Sequence, residues 1–181
     1  MTKILKEHEY RVVMYDGPWY PIKYPFHLLD AMEFFLGRME GRSLRVKKNL
    51  LVENSVLKEG VVITCGRIVI RNSYIGGCVK IVGDCVIENS HINRDCKIVS
   101  SRISNCYIYE DCRIEQSEIE FSVIGRGSKV SRSRFLGRSR KEVVLEILGE
   151  RVKTGRKNLG VIVGENKEIK DAELGPGEVI L

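Results

Sequence analysis

The segment from residue 73 to residue 124 reads SYIGGCVKIVGDCVIENSHINRDCKIVSSRISNCYIYEDCRIEQSEIEFSVI. An isoleucine recurs in it every five or six positions, and a serine, cysteine or valine stands two residues before each of these isoleucines. A spacing near six matches neither the 3.6-residue period of a helix nor the turn spacing of a strand meander. It predicts short strands that turn a corner after each unit, as in a solenoid.

The same pattern continues on both sides of this segment and groups into three-sided coils. Leu57 and Ile75 are 18 positions apart, and the next coils, ending at Ile92, Ile108 and Ile124, take 17, 16 and 16 residues. Coils stacked about 4.8 Å apart form an all-β parallel β-helix, here of about five to six triangular coils. The pattern predicts three inward columns: Leu57, Ile75, Ile92, Ile108 and Ile124; Ile63, Ile81, Ile98, Ile114 and Val130; and Ile70, Ile87, Ile103, Ile119 and Phe135.

Small residues precede the aliphatic ones because a narrow prism has no room for a second large inward side chain on each strand. Four cysteines occupy such positions: Cys85, Cys96, Cys106 and Cys112. We expect buried free thiols that pack as small hydrophobic residues. A disulfide between Cys96 and Cys112, vertical neighbours in one column, is the alternative. The sequence has no CxxC pair and no Cys/His cluster at zinc spacing, so no metal site is predicted.

Two stretches near the N-terminus resemble a known family. Residues 16–22 read DGPWYPI and residues 24–31 read YPFHLLDA. They are similar to the segment of sugar-1-phosphate nucleotidyltransferases in which the catalytic domain ends and a helix leads into a C-terminal β-helix. The repeat units resemble the hexapeptide repeats of left-handed parallel β-helix proteins. The left-handed sense rests on this resemblance, because the usual crossover rule favours the opposite hand.

A late stretch extends the resemblance. Residues 151–165 read RVKTGRKNLGVIVGE, similar to a segment of the same β-helix domain in archaeal members with an acyltransferase-like C-terminus. The glycine-rich signature of the nucleotidyltransferase domain is absent, so nucleotidyl transfer by this chain alone is not expected. After Gly164 only Ile169, Leu174 and residues 179–181 continue the pattern, where acyltransferase relatives have further coils. We therefore expect the CoA-binding region of those relatives to be missing from this sequence.

The chain divides into two predicted parts. Residues 1–50 form an N-terminal strand and helix segment that packs on the β-helix, and residues 51–181 form the β-helix domain. Residues 137–158 break the repeat, and alternating residues on both sides of Gly149 predict an extruded hairpin within this insertion.

The N-terminal segment carries more apolar surface than a free helix should expose. A strand is predicted from Arg11 to Tyr15, and a helix from Pro25 to about Met39. We expect the helix, or a neighbouring subunit, to cover an outward column of the β-helix that is apolar where a solvated face should be charged. The members of this column are Val56, Tyr74, His91, Tyr107 and Val123.

Composition narrows the class of protein. Thirty Lys and Arg residues against 24 Asp and Glu give a net charge of +6, which favours anionic partners only where the excess is clustered. No apolar stretch approaches the length of a membrane span, and the start, MTKILKEHEY, lacks the apolar region of a signal peptide. We expect a cytoplasmic protein with no membrane partner. A charged fraction of 30% with a single glutamine is compatible with a thermophile.

Four cations fall in the outward column of a second face, at the strand spacing of about 4.8 Å. This cation ladder comprises Lys80, Lys97, Arg113 and Lys129. Because its members repel one another, it is a candidate site for nucleotide phosphates, CoA or an acidic partner subunit. The alternative is a solvated face whose charges alternate with Glu115 and others. Nucleic acid is not expected, because no aromatic residues are interleaved with the cations and no binding motif is present.

A second candidate for anion binding is the basic loop 153–157, whose cations are Lys153, Arg156 and Lys157. Its glycine could help to cradle a phosphate, but the full Walker pattern is absent. The alternative is a solvated loop tip.

His91 is the candidate catalytic residue. Acyltransferases of the resembling fold use a histidine as the base that deprotonates the accepting amine or hydroxyl, and the neighbouring residues 93–95, Asn-Arg-Asp, could orient it. His91 nevertheless lies between Tyr74 and Tyr107 in the apolar column and lacks the Gly-His context of sugar acetyltransferases. Packing is therefore the alternative.

Two functions are predicted. The first is a stand-alone β-helix module related to sugar-nucleotide metabolism, with an accessory or oligomerisation role and no nucleotidyl transfer of its own. Its partner would be a second copy, in a dimer or trimer, or a separate nucleotidyltransferase subunit. The alternative is an acetyltransferase that uses acetyl-CoA and acts on an amino sugar or sugar phosphate. In it, His91 is the base and the cation ladder or the 153–157 loop holds CoA.

Overall fold

Vertical columns of aliphatic side chains form the centre of the molecule, as the repeat predicts. In the computed structural model, residues 13–46, 49–147 and 149–181 are described, residues 42–46 by their backbone alone. Ile81 pairs with Ile98, and Ile98 pairs with Ile114 on the next strand. All three side chains are fully buried. The other two columns are aligned in the same way, so the fold is an all-β parallel β-helix.

Each side of the prism is a parallel sheet. Face A comprises the first half of β2 (Leu50–Leu57), β4 (Ile68–Arg71), β7 (Cys85–Glu88), β10 (Arg102–Ser104), β13 (Glu118–Glu120), β16 (Arg134–Phe135) and β21 (Glu173–Leu174). Face B comprises the second half of β2, β5 (Tyr74–Ile75), β8 (His91–Ile92), β11 (Tyr107–Ile108), β14 (Val123–Ile124), β19 (Ile162–Val163) and β22 (Val179–Ile180). Face C comprises β3 (Val62–Thr64), β6 (Lys80–Val82), β9 (Lys97–Val99), β12 (Arg113–Glu115), β15 (Lys129–Ser131) and β20 (Glu168–Lys170).

The stack is slightly taller than predicted. In the described ranges, faces A and B hold seven strands each and face C holds six, which makes six full coils and the start of a seventh. The difference from the predicted five to six arises after the insertion, where β20 pairs in register with β15. Ile169 there lies over Val130, so the inward column continues although the local sequence is less regular.

The small inward residues do more than fit a narrow space. Ser73 donates its hydroxyl to the carbonyl of Arg71 at 2.6 Å and accepts the backbone N–H of Ser90 at 3.1 Å. Ser90 repeats the arrangement with the carbonyl of Glu88 and the N–H of Cys106. Both serine side chains are fully buried. Each hydroxyl thus satisfies a buried amide of the next coil, which a merely small residue would leave without this partner.

The four inward cysteines are buried free thiols, as predicted. Burial raises the pKa of the Cys106 thiol to about 12, so this thiol stays protonated and unreactive at neutral pH. Cys96 and Cys112 each come directly before a strand, and these strands, β9 and β12, pair in register. Cys65 and Cys78 differ from them, because both are exposed at corners where φ is positive.

The N-terminal helix packs on the outer side of face B. Helix α1 (His27–Leu36) is shorter at both ends than the predicted range, and Gly37, which follows it, bonds its N–H to the carbonyl of Glu33. A hydrophobic cluster joins α1 and its N-cap residue to face B, and its buried members from these parts are Phe26, Leu29, Met32, Leu36, Val123 and Ile162. The chain's own helix therefore covers this face.

The strand predicted from Arg11 to Tyr15 is wrong for residues 13–15, which form no strand, while residues 11 and 12 lie outside the described part of the chain. The side chains of residues 13–15 are exposed, and no strand among the described residues pairs with them. A strand that the sequence did not predict, β1 (Arg42–Val46), pairs antiparallel with β2. It covers the first edge of face A, which would otherwise present unpaired backbone groups.

The insertion forms the predicted hairpin. Strands β17 (Val144–Ile147) and β18 (Glu150–Lys153) pair antiparallel, and Gly149 takes a positive φ in the turn. A bridge between Arg138 and Asn158 closes its base. Leu145 is fully buried in the cluster that contains α1, so the hairpin folds back against the helix instead of projecting freely.

Candidate functional site

Three aromatic side chains form a column on the outer side of face B, named here the ring column: Tyr74, His91 and Tyr107. Their strands pair in register. The ring centroids of Tyr74 and His91 are 4.6 Å apart with an interplanar angle of 16°, and those of His91 and Tyr107 are 4.7 Å apart at 12°. This distance is the spacing of paired strands, so the sheet itself stacks the rings.

Helix α1 lies over the ring column and leaves an open groove of about 490 Å³. Apart from the ring column, its lining is apolar: Ile22, Leu28, Ala31, Met32, Phe35, Leu36 and Met39. No acidic or basic side chain is among these lining residues. The volume lies within the range of small-molecule sites, which are typically apolar with a few polar groups. We call this space the helix groove.

His91 is held neutral in this setting. Burial lowers its pKa from 6.5 to about 4, because the apolar surroundings disfavour the charged imidazolium. Burial also raises the pKa of Tyr107, so both side chains are uncharged at pH 7. The residues expected to orient His91 do not contact it: the side-chain oxygen of Asn93 accepts the N–H of Arg94, and Arg94 pairs weakly with Asp95 at 3.9 Å.

The structure places the cation ladder in one column of face C, on successive paired strands. Glu115 forms ion pairs with two members of the ladder, since a carboxylate oxygen lies 2.6 Å from Nε of Arg113 and 3.8 Å from Nζ of Lys97. Lys80 and Lys129 have no ion-pair partner within the described ranges. Face C is therefore partly neutralised in the middle, and Glu168 is in register with Lys129 on the next strand.

The 153–157 loop is occupied by contacts within the chain. The Arg156 guanidinium binds the carboxylates of Asp30 and Glu33 on α1, the latter at 2.7 Å, and its side chain is only 12% exposed. The N–H of Gly155 donates to a carboxylate oxygen of Glu142 at 2.9 Å. A phosphate at Arg156 would have to displace both helix carboxylates, so Arg156 is not available as an anion-binding residue. Lys153 and Lys157 are exposed.

These candidates do not converge on one site. His91 lies in the helix groove on face B, and the cation ladder lies on face C. The groove lining contains no cation that could hold the phosphates of CoA. The residues around His91 therefore do not fit acetyl-CoA, and the geometry assigns no catalytic step to this cofactor.

A second groove, on face A, was not predicted from the sequence. It measures about 1190 Å³ and is shallow and highly charged. Arg71 lies between Glu53 and Glu88, at 2.7 and 2.9 Å. Both carboxylate oxygens of Asp171 bind Arg132, which lowers the pKa of this carboxyl. The charged character of face A could have been predicted from the sequence, because charges of opposite sign alternate in one outward column. Its members are Arg102, Glu118, Arg134 and Glu173.

The described residues form neither a metal site nor a membrane-spanning helix. No group of three or more His, Cys, Asp or Glu side chains there could hold a metal ion. A membrane-spanning helix needs about 20 apolar residues, and no helix in these ranges meets that requirement.

Comparison with known proteins gives one informative match. No protein-family model matches the sequence. The chain is similar to the bifunctional sugar-1-phosphate nucleotidylyltransferase/acetyltransferase of Sulfurisphaera tokodaii, with 25% identity over 186 aligned positions that cover 88% of this chain and 42% of the relative. It is thus a distant homologue of that protein and spans less than half of its length. The match agrees with the resemblance to sugar-1-phosphate nucleotidyltransferases seen in the N-terminal motifs.

Proposed function

We propose that this chain is an accessory β-helix module of sugar-nucleotide metabolism, which assembles with a second copy or with a separate nucleotidyltransferase subunit. The observation that carries the proposal is the similarity, over 88% of the chain, to a protein whose name joins sugar-1-phosphate nucleotidylyltransferase and acetyltransferase. Residues 1–181 contain no glycine-rich phosphate-binding signature, so the proposal gives these residues no part in the nucleotidyl-transfer step itself.

An exposed apolar surface supports the assembly part of the proposal. Trp19 is 77% exposed, and Val13, Met14 and Tyr15 are exposed beside it in the sequence. Phe35 of α1 is 58% exposed although it belongs to an otherwise packed helix. Interfaces between proteins are enriched in aromatic residues and methionine, and large exposed apolar patches mark interaction sites.

Size-exclusion chromatography with light scattering tests assembly. We expect a dimer or trimer at micromolar concentration, or a complex when the chain is co-expressed with a nucleotidyltransferase subunit from the same organism. Trp19→Ser should shift the population towards the monomer, because it removes the largest exposed apolar side chain. Val62→Ser is the matched control, since Val62 is an exposed apolar residue on face C. A wild-type monomer that also fails to bind the co-expressed subunit would contradict the proposal.

The alternative function is acetyl transfer to an amino sugar or sugar phosphate, favoured by the second activity in the relative's name. The candidate base in this alternative is His91, but its pKa of about 4 makes it a weak base at neutral pH, and the described residues that line the groove around it include no cation for the phosphates of CoA. Thermal-shift measurements with acetyl-CoA separate the two functions, because a ligand that binds the native state raises the melting temperature. A rise in melting temperature that His91→Ala abolishes would support the acetyltransferase. No change at millimolar acetyl-CoA would remove the support for it and favour the accessory module.

A further inference from the structure

The ring column presents a row of polar groups that the chain itself leaves without partners. Neither the hydroxyls of Tyr74 and Tyr107 nor the ring nitrogens of His91 form a hydrogen bond with any described residue. None of these atoms is sealed from solvent, because no buried side-chain N or O atom among the described residues lacks a hydrogen-bond partner. The three groups therefore remain available to a molecule in the helix groove.

The charge state of the row restricts that molecule. The lining includes no Asp, Glu, Lys or Arg, His91 is neutral because of its burial, and burial also favours the neutral form of Tyr107. A charged group placed there would lose its hydration without gaining a counter-ion. A neutral imidazole and two phenols each both donate and accept hydrogen bonds. The complementary ligand is uncharged and carries hydroxyl groups.

The walls of the groove add a second restriction. Opposite the ring column stand thioether and aliphatic side chains, Met32, Leu36 and Met39 among them. A ligand that satisfies both sides has hydroxyls along one edge and C–H groups on another. A pyranose ring has this division, and the three side chains that would meet its hydroxyls are stacked with ring centroids 4.6 and 4.7 Å apart.

We propose that the helix groove binds the uncharged pyranose ring of a sugar, with its hydroxyls on Tyr74, His91 and Tyr107 and its apolar face against α1. The choice of a sugar over other hydroxylated molecules rests on the proposed function. Any phosphate or nucleotide attached to the sugar lies outside the groove, because the lining offers no cation. The site is distinct from the cation ladder, which lies on another face.

Saturation-transfer NMR with methyl α-glucoside as the probe tests this site. We expect binding by the wild type and a loss of about fivefold or more in affinity for His91→Phe, which keeps a stacked ring and removes its hydrogen bonds. Ala31→Trp fills the groove and should abolish binding. Lys129→Gln on face C is the matched control and should bind as the wild type does. A melting curve for each variant confirms that it is folded.

Two competitors identify the chemistry. Glucose 1-phosphate should bind with an affinity similar to that of the glucoside, and cyclohexanol should bind more weakly than both. Unchanged affinity in a folded His91→Phe, stronger binding of cyclohexanol, or binding of the phosphate ester alone would each overturn the proposal. Assembly is measured separately by light scattering, so failure of sugar binding and failure of the proposed function are distinguishable.

Discussion

Lowering the pH from 7 to 4 is expected to destabilise the native chain through His91 by up to about 3 kcal/mol, since its pKa is lowered from 6.5 to about 4. Between these values the unfolded chain binds a proton that the folded chain does not. The free energy of unfolding therefore falls as the pH falls from about 6.5 to about 4 and is unaffected by His91 above this window. The cause is burial of the ring between two tyrosines under an uncharged helix face.

Urea denaturation at several pH values, compared between the wild type and His91→Phe, isolates this contribution. Carboxylates such as Asp171 titrate in both proteins and cancel in the difference. The variant retains an aromatic ring in the stack and should lose less stability than the wild type on acidification. Parallel curves for the two proteins from pH 7 to pH 4 would show that His91 titrates normally and is not enclosed by the helix.

Ile98→Ala should lower the free energy of unfolding by about 3 to 4 kcal/mol, the usual cost of truncating a fully buried aliphatic side chain to alanine. Ile98 is fully buried and lies between Ile81 and Ile114 in the column of face C. The cavity cannot close easily, because the paired strands on both sides fix the height of each coil. Chemical denaturation of the purified variant measures the loss.

Val62→Ala is the matched control for this substitution. Val62 is an exposed aliphatic residue on the same face, so its truncation should cost less than about 1 kcal/mol. Equal losses for Ile98→Ala and Val62→Ala would mean that the isoleucine column does not carry the stability of the prism.

The columns could be predicted from the sequence because each coil has nearly the same length and each inward position admits few residue types. The register of Leu57 with Ile75, and of Ile75 with Ile92, follows from the spacing alone. The ring column followed from the same register, which brought His91 between two tyrosines. Periodicity was sufficient for these features because paired strands are separated by one coil of nearly constant length.

Contacts between distant segments could not be predicted in this way. Arg156 was an anion-site candidate, but the structure pairs it with two carboxylates on α1 that are more than 120 residues away. No periodic signal connects a loop to a helix over that distance. The prediction for the serine positions was incomplete for another reason. The spacing indicates a small residue, but it does not show that the Ser73 hydroxyl accepts a hydrogen bond from a backbone N–H of the next coil. Residues 13–15 had strand-like composition, but a strand needs a partner.

Helix α1 of the same chain covers the ring column and forms the helix groove. A nuclear Overhauser experiment on a mixture of labelled and unlabelled protein tests this arrangement. The structure predicts NOEs from the side chains of Met32 and Leu36 to the rings of His91 and Tyr107, seen within one molecule and not between molecules. The absence of these NOEs, or their appearance only between differently labelled molecules, would contradict the account.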